Sequence, residues 1–235
     1  MKSIQLNEKE IQDKGSGCEV IPSFFNLLNS EQLKSINSNR FQVSFKAGET
    51  IIKQGSPLSH VIYLSEGKAK VLLESFGQTV LLKILSKPAI ICGPGLYTDY
   101  RHYFSVEALG DTKTCFVDIN LFKQLTLSNQ SYVMKLVTDL NREIINLYDK
   151  LKSLTQKHMN GRLADTLIYL SEDIYQSREF TTELSRSDIA NMSCMTNGSA
   201  IRTLKDFKDD GIIDCNGNHF KILKKEVLLD LSKKG

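Results

Sequence analysis

The fold of this chain is decided by residues 184–223, which read LSRSDIANMSCMTNGSAIRTLKDFKDDGIIDCNGNHFKIL. Ser185 and Asp188 have the spacing of a capping box, with Asp in place of the usual Glu or Gln, so a short helix is expected directly after Ser185. Thr196 is a good N-cap for a second helix, and Gly211 supplies its left-handed stop. Two short helices joined by a tight turn are typical of a helix-turn-helix.

A β-hairpin is expected directly after the second helix. Residues 212–215 and 218–223 read as two strands, and Asn216-Gly217 between them favours a type I′ turn. A hairpin in this place is the wing of a winged helix-turn-helix. We therefore predict a winged helix-turn-helix DNA-binding domain over residues 158–235.

The second predicted helix has two different faces. Its apolar face is expected to pack on the preceding helices: Ala200, Thr203, Leu204 and Phe207. On the polar face, Arg can pair with guanine and Asn with adenine, whereas contacts to phosphate orient the protein without reading sequence. The candidate DNA-binding residues are Arg186, Thr196, Asn197, Ser199, Arg202 and Lys205, of which Arg186 and Lys205 suit phosphates.

The net charge of this part of the chain bears on how many DNA phosphates it can contact. Residues 157–235 hold 12 Lys+Arg and 12 Asp+Glu, so 12 − 12 gives a net charge of zero. Few phosphate contacts and a modest dependence of binding on salt are expected. The alternative is that the helix-turn-helix of a ligand-sensing protein mediates protein contacts only.

Upstream of this domain, apolar residues recur at alternating intervals of four and three: Val133, Val137, Leu140, Ile144, Leu147, Leu151 and Leu154. No Gly or Pro interrupts residues 131–157, and the positions between are mostly polar. This a/d heptad seam is narrower than the apolar stripe of a core helix. We predict a helix over residues 128–157 that pairs with its copy in a homodimer, the alternative being a core helix of one large domain.

The N-terminal half has a β pattern. Between residues 41 and 119, short apolar runs are punctuated by Gly48, Gly55, Gly67 and Gly77, as in a sandwich or barrel. Before these runs, apolar residues between Phe24 and Ile36 predict a short amphipathic helix or two ending near Asn39. Together these segments form a predicted β domain over residues 21–127, preceded by a polar arm over residues 1–20.

Composition excludes several classes of protein. The chain has 235 residues, is 41% apolar and 24% charged, and has a net charge of +3, which is typical of a globular protein. No apolar run is long enough to span a bilayer, and the N-terminus lacks the apolar core of a secretory signal. Five scattered cysteines fit a reducing cytosol better than a disulfide framework: Cys18, Cys92, Cys115, Cys194 and Cys215. A cytoplasmic protein with no membrane partner is expected.

Enzyme chemistry finds no support in the sequence. A cupin-like metal oxygenase, the enzyme class considered as an alternative, needs two or three His and a carboxylate around one metal. The four histidines are instead scattered, and a surface or hydrogen-bonded role is expected for each: His60, His102, His158 and His219. No catalytic triad and no Gly-rich phosphate loop can be assembled, so no catalytic residue, metal or cofactor is predicted.

The layout from Phe24 to Leu231 resembles the Crp/Fnr family of bacterial transcription regulators. The resemblance is carried by FKAGETII at 45–52, VIYLSEG at 61–67, GRLA at 161–164, LSRSDIA at 184–190 and IRTL at 201–204. It implies an α+β fold with an N-terminal cyclic-nucleotide-binding-type β-roll (double-stranded, jelly-roll-like), a long dimerisation helix and a C-terminal winged helix-turn-helix. It also implies a homodimer on a two-fold symmetric DNA operator, RNA polymerase as a partner and a small effector.

The residues that bind cyclic AMP in some members of the family are not found in this chain. Those members have Gly-Glu-Leu, followed by Arg-Ser or Arg-Thr, where this chain has Gly93-Pro94-Gly95-Leu96 and His102-Tyr103. Pro94 removes a carboxylate and an N–H donor, and His102, mostly neutral at pH 7, cannot replace a fixed guanidinium.

We therefore expect either another effector or a pocket filled by Tyr97, Tyr100 and Tyr103. The candidate pocket residues are Gly93, Pro94, Gly95, Leu96, Arg101, His102 and Tyr103. Gly198 is a second position at which this chain departs from the family pattern, because many relatives carry Glu there. The operator should therefore differ from the common family consensus.

Overall fold

The computed structural model describes residues Phe25–Gly235. The predicted arm over residues 1–20, with Cys18, and the first residues of the predicted β domain, with Phe24, lie outside the described residues. The chain divides into two compact units, one formed by residues up to Val71 with Ile84–Arg142 and the other by Leu72–Lys83 with Glu143–Gly235.

The N-terminal half contains eight strands: β1 (Arg40–Phe45), β2 (Thr50–Ile52), β3 (His60–Glu66), β4 (Lys68–Ser75), β5 (Gln78–Ser86), β6 (Ala89–Ile91), β7 (Ser105–Ala108) and β8 (Thr112–Asp118). They form two four-stranded sheets, ordered β1-β8-β3-β6 and β2-β7-β4-β5. Helices α1 (Ser30–Ser38) and α2 (Ile119–Ser128) contribute Ile36 and Phe122 to the buried core. The helix expected before residue 40 and the β pattern of residues 41–119 are both confirmed, whereas α2 is a helix that the sequence pattern did not reveal.

A single long helix, α3 (Gln130–Gln156), follows the β-roll, as the heptad pattern predicts. The Asn129 side chain accepts a hydrogen bond from the Tyr132 N–H (3.0 Å). The Tyr132 ring is fully buried in the β-roll core, where its hydroxyl lies 3.2 Å from that of Tyr63. Leu136, one turn later, is also buried there. Apolar packing therefore fixes the beginning of α3.

The C-terminal part contains helices α4 (Met159–Tyr169), α5 (Arg186–Met192), α6 (Asn197–Asp209) and α7 (Lys225–Lys234) and strands β9 (Glu179–Thr181), β10 (Ile213–Asn216) and β11 (His219–Ile222). We call α4 to α7 with these strands the C-terminal module. Its sheet has the order β10-β11-β9, and α4 packs against α7. The winged helix-turn-helix and the α+β fold class are thus confirmed, while β9 and α7 are elements that the sequence pattern did not reveal.

The turn of the wing differs from the predicted type I′ turn. Asn216 pairs with His219 across the hairpin, so the two loop residues are Gly217 and Asn218. Gly217 has a φ of +54°, but Asn218 does not have a positive φ. A type I′ turn needs a positive φ at both positions, whereas glycine at the first position alone is the pattern of a type II′ turn. The prediction is wrong because the strand extends one residue further and takes up Asn216.

Two findings concern the cellular environment. Within the described residues, no helix is both long and apolar enough to cross a membrane. Of the cysteines in residues 25–235, Cys92, Cys194 and Cys215 are present as thiols.

Candidate functional site

Helix α5 begins with the predicted capping box. The Ser185 hydroxyl accepts a hydrogen bond from the Asp188 N–H (3.0 Å), and the Asp188 carboxylate accepts one from the Ser185 N–H (2.9 Å). Leu184 and Ile189 are buried on either side of the cap. Two backbone N–H groups that have no partner within the helix are thus satisfied, which fixes where α5 begins.

The turn between α5 and α6 is equally well defined. Cys194 adopts a left-handed φ of +47°, and the Met195 N–H then donates to the Ala190 carbonyl (2.9 Å). The Thr196 hydroxyl accepts from the Ser199 N–H (3.2 Å) and lies 2.9 Å from the Ser199 hydroxyl. Thr196 is therefore the N-cap of α6, as predicted, and both hydroxyl groups stand at the helix N-terminus.

Helix α6 separates its residues into an inner and an outer face. The inner face is buried as predicted: Ala200, Thr203, Leu204 and Phe207. On the outer face, Asn197, Arg202 and Lys205 are exposed. Within residues 25–235, the side chains of these three residues make no hydrogen bond or ion pair. Their donors are therefore available to an external partner.

Arg186 is placed differently from the other candidates. Its Nη2 donates to the Gly217 carbonyl at the tip of the wing, and its guanidinium carbon lies 4.8 Å from the centre of the Phe220 ring. Its Nη1 is buried and has no hydrogen-bond partner among the described residues. Arg186 thus ties the first turn of α5 to the wing, and its contact with a phosphate stays a prediction.

Residues 157–235, which include the C-terminal module, have a net charge of zero, but not all of their basic residues are paired with acidic ones. In the wing, Lys208 pairs with Asp214 (3.0 Å), and Lys221 pairs with Glu179 (2.7 Å). The hydrogen bond from Lys208 lowers the pKa of Asp214, and the bond from Lys221 lowers the pKa of Glu179. These acids are already neutralised by neighbours, whereas the cations on the outer face of α6 are not.

Polar contacts join the end of α3 to the C-terminal module. The Asp165 carboxylate accepts from the Ser153 hydroxyl (2.5 Å), the Lys157 ammonium (2.8 Å) and the Ser232 hydroxyl (2.5 Å). We call these four residues the Asp165 cluster. Nearby, Lys150 Nζ donates to the Met192 carbonyl at the end of α5, and burial lowers the pKa of Lys150. Sequence reasoning missed this cluster because Asp165 and Ser232 lie 67 residues apart.

The predicted heptad seam lies on an exposed face of α3. Four of its members are 43 to 57% exposed in the single chain: Val137, Ile144, Leu147 and Leu151. The other three are half-buried: Val133, Leu140 and Leu154. Ile145 and Tyr148, in the middle of α3, are also exposed, by 59% and 65%.

The candidate effector segment, residues 93–103, is closed on its own backbone. Pro94–Tyr97 form a short 3₁₀ turn, in which Leu96 is buried. At Gly95, an added Cβ would lie 1.9 Å from the Arg101 carbonyl oxygen. Only glycine allows this approach, so the Gly95 backbone occupies the space beside Arg101.

The cation and the imidazole of this segment are not directed at a common point. The Arg101 guanidinium donates to the Gly55 carbonyl (3.2 Å), and the Tyr103 hydroxyl donates to the Asp99 carboxylate (2.9 Å). His102 is 7% exposed, and its Nδ1 has no hydrogen-bond partner among the described residues. The expectation of a surface or hydrogen-bonded His102 ring is therefore wrong, because backbone bonds to the Gly55 loop draw the residue inward. Burial lowers its pKa, so the ring is neutral at pH 7.

The tyrosines of this segment do not fill a pocket. Tyr97, Tyr100 and Tyr103 are 52%, 45% and 49% exposed, which contradicts that alternative. The Tyr97 hydroxyl lies 2.5 Å from the Thr126 hydroxyl, and Lys123 Nζ lies 3.9 Å from the centre of the Tyr100 ring. Both rings are held against α2 at the surface instead.

The fold and these faces define a transcription regulator with a β-roll sensor-type domain and a winged helix-turn-helix. A family model described as a Crp-like helix-turn-helix domain matches residues 161–231, and one described as a cyclic nucleotide-binding domain matches residues 42–129. The chain belongs to the Crp/Fnr family of transcription regulators. The predicted resemblance is thereby confirmed.

Individual relatives agree with this assignment at low sequence identity. The transcriptional regulatory protein btr of Bordetella pertussis is 24% identical over 197 residues, covering 82% of this chain and 81% of that protein. FixK2 from Bradyrhizobium japonicum has a TM-score of 0.73 at 20% identity, over 82% of this chain and 96% of its own. A putative transcriptional regulator of the family from Eubacterium rectale has a TM-score of 0.74 at 17% identity, over 90% of this chain and 100% of its own. These two structures share the fold.

Proposed function

We propose that this chain is a homodimeric, sequence-specific DNA-binding regulator that places α6 in the major groove of each operator half-site. The observation that carries the proposal is the outer face of α6, where Asn197, Arg202 and Lys205 are exposed and lack partners in the described chain. Asn197 and Arg202 have the donors to read adenine and guanine, and Lys205 suits a phosphate. Thr196 and Ser199 stand at the helix N-terminus, which attracts phosphate.

The homodimer is supported by the exposed seam of α3. Four large apolar side chains at a/d spacing remain in contact with water in the single chain, and a second α3 would cover them. The two copies of α6 then need a separation of about 34 Å to enter successive major grooves. An operator with two-fold symmetry follows from this arrangement.

The effector domain is proposed to respond to a ligand other than cyclic AMP. Supporting this, Pro94 supplies neither a carboxylate nor an N–H, and Arg101 is bonded to the Gly55 carbonyl. We retain residues 93–96 and 101–103 as the proposed effector segment. The proposal also includes a cytoplasmic location and RNA polymerase as the partner that reads out DNA binding.

The proposal can be tested with the Arg202→Ala variant of the full chain. Loss of a bidentate contact to guanine should weaken binding by about 1–3 kcal/mol for each half-site, or roughly 5- to 150-fold. Affinity is measured by fluorescence anisotropy on a duplex selected from a random-sequence library. The charge-matched control is Lys233→Ala, an exposed residue of α7, which should bind like the wild type.

Two outcomes would contradict the proposal. One is equal binding by the Arg202 and Lys233 variants, because the outer face of α6 would then not touch the bases. The other is a folded dimer that selects no duplex and crosslinks to no DNA in cells. That second result would favour a helix-turn-helix used for protein contacts.

A further inference from the structure

Helix α6 exposes one large apolar side chain among its polar neighbours. Ile201 is 48% exposed, whereas Leu204 and Phe207 of the same helix are buried. Single exposed apolar residues are common on protein surfaces and need no explanation by themselves. The position of Ile201 is what distinguishes it.

Ile201 lies within the proposed recognition surface. Residues four apart on a helix lie on the same face, so Asn197, Ile201 and Lys205 form one row along the outside of α6. Arg202 stands immediately beside that row. A duplex that reaches Asn197 and Arg202 at once would therefore also meet Ile201.

The surface around Ile201 is open enough for a DNA duplex to approach it closely. Gly198 carries no side chain, and an added Cβ there would have no atom within 4 Å, so nothing from the protein covers this turn of the helix. The surface of α6 at Gly198 is therefore open beside an apolar side chain. Such a surface cannot accept a hydrogen bond from cytosine.

The major groove contains one apolar group that suits this surface. In that groove guanine presents two acceptors, adenine an acceptor and a donor, and cytosine a donor, whereas thymine presents an acceptor and the C5-methyl group. An isoleucine placed over a polar edge would remove water from it without supplying a hydrogen bond, which is costly. Over a thymine methyl, the same side chain buries apolar surface on both partners.

We infer that Ile201 is a specificity-determining residue that contacts the C5-methyl group of a thymine beside the guanine assigned to Arg202. The inference rests on the proposed function, which it deepens by naming a base. It predicts a half-site in which an adenine, a thymine and a guanine are read by Asn197, Ile201 and Arg202.

The experiment replaces thymines of the selected duplex, one symmetric pair at a time, by deoxyuridine. Deoxyuridine pairs identically and lacks only the methyl group. For wild-type full-length protein, one pair of replacements should raise the Kd about fourfold for each half-site, the value of one buried methyl group. Ile201→Ser should bind the thymine and uridine duplexes equally, and Ile201→Val should keep the preference for thymine.

The control for a change at an exposed apolar residue is Val227→Ser on α7, which should keep the thymine preference. The inference is overturned if wild-type protein binds the duplex but no replacement weakens it, or if Ile201→Ser retains the wild-type sensitivity. Thermal unfolding of each variant shows that the protein is folded. Failure to select any duplex would instead contradict DNA binding itself, and the inference would fall with it.

Discussion

Helices α3 and α6 each leave one face without a partner in the single chain, and the two faces differ in chemistry. The outer face of α3 presents Ile144, Leu147 and Leu151, while that of α6 presents Asn197 and Arg202. An apolar face is satisfied by another apolar face, and a face of cations and amides by a polyanion with polar edges. The difference therefore indicates which partner each helix takes.

The same difference predicts when each partner binds. Covering one Ile or Leu side chain is worth on the order of 1.5–3 kcal/mol, and the seam of each chain exposes several of them. Arg202 and Lys205 are well hydrated in the free protein, so their exposure costs little. The α3 interface should thus form in the absence of DNA, and the α6 interface only in its presence.

The largest effect is expected from breaking the α3 interface with Ile144→Glu. A carboxylate in the middle of the seam would have to be buried without a partner in the dimer. The variant should be monomeric by analytical ultracentrifugation. It should also lose about 10²- to 10⁴-fold in affinity for a two-half-site duplex, because linked binding of two modules is lost.

Asn146→Glu is the matched control, since Asn146 is exposed on α3 outside the seam. This control should remain dimeric and bind DNA. A dimeric Ile144→Glu protein would show that the seam is not the interface and would remove the contrast between the two helices.

A smaller effect, on the free energy of unfolding, is expected at the Asp165 cluster. This cluster joins the end of α3 to the C-terminal module, which contains α6. Asp165→Ala removes the acceptor shared by Ser153, Lys157 and Ser232, and leaves these donors partly buried without it. The free energy of unfolding should fall by about 2–3 kcal/mol in urea titrations. Asp149→Ala, which breaks only an exposed pair with Lys152 (2.9 Å), should cost less than about 1 kcal/mol. Equal losses in the two variants would mean that the Asp165 cluster contributes no more than a surface pair.

The cap of α6 should have a smaller effect still. Thr196→Ala removes the acceptor for the Ser199 N–H and should lower stability by about 1 kcal/mol. Thr196→Ser keeps the hydroxyl and should restore most of the loss in a thermal unfolding experiment. An alanine variant as stable as the wild type would show that water or Ser199 replaces the cap.

The features of α6 could be predicted because their signals are local. The Ser185–Asp188 box, the Thr196 cap and the buried set ending at Phe207 each depend on residues within a few turns of one another. The heptad seam of α3 could be found for the same reason. Fold class followed once these elements were placed in order.

Features that depend on distant parts of the chain were missed or mispredicted. Strand β9 exists only because Phe180 pairs with Phe220 of β11. The exposure of the effector-segment tyrosines depends on contacts with α2. No window of sequence contains both partners of such contacts.

The smallest effect is expected when cyclic AMP is added. This prediction extends the comparison from the two helices to the effector segment, whose cation already donates to the protein's own backbone. Cyclic phosphate needs a fixed cation, but the Arg101 guanidinium is bonded to Gly55, and His102 is neutral because burial lowers its pKa. Neither Tm nor DNA affinity should change.

A ligand present at 100 times its Kd would add about 2.7 kcal/mol of stability, so real binding would be visible as a rise in Tm. The selected duplex serves as the positive control, because it must raise Tm if α6 binds it. Pro94→Glu restores a carboxylate but leaves the Gly95 backbone against the Arg101 carbonyl, so this variant should also fail to respond. A rise in Tm with cyclic AMP in either protein would show that the segment opens to bind the nucleotide. The packing of this segment would then not indicate which partner it takes, in contrast to the exposed faces of α3 and α6.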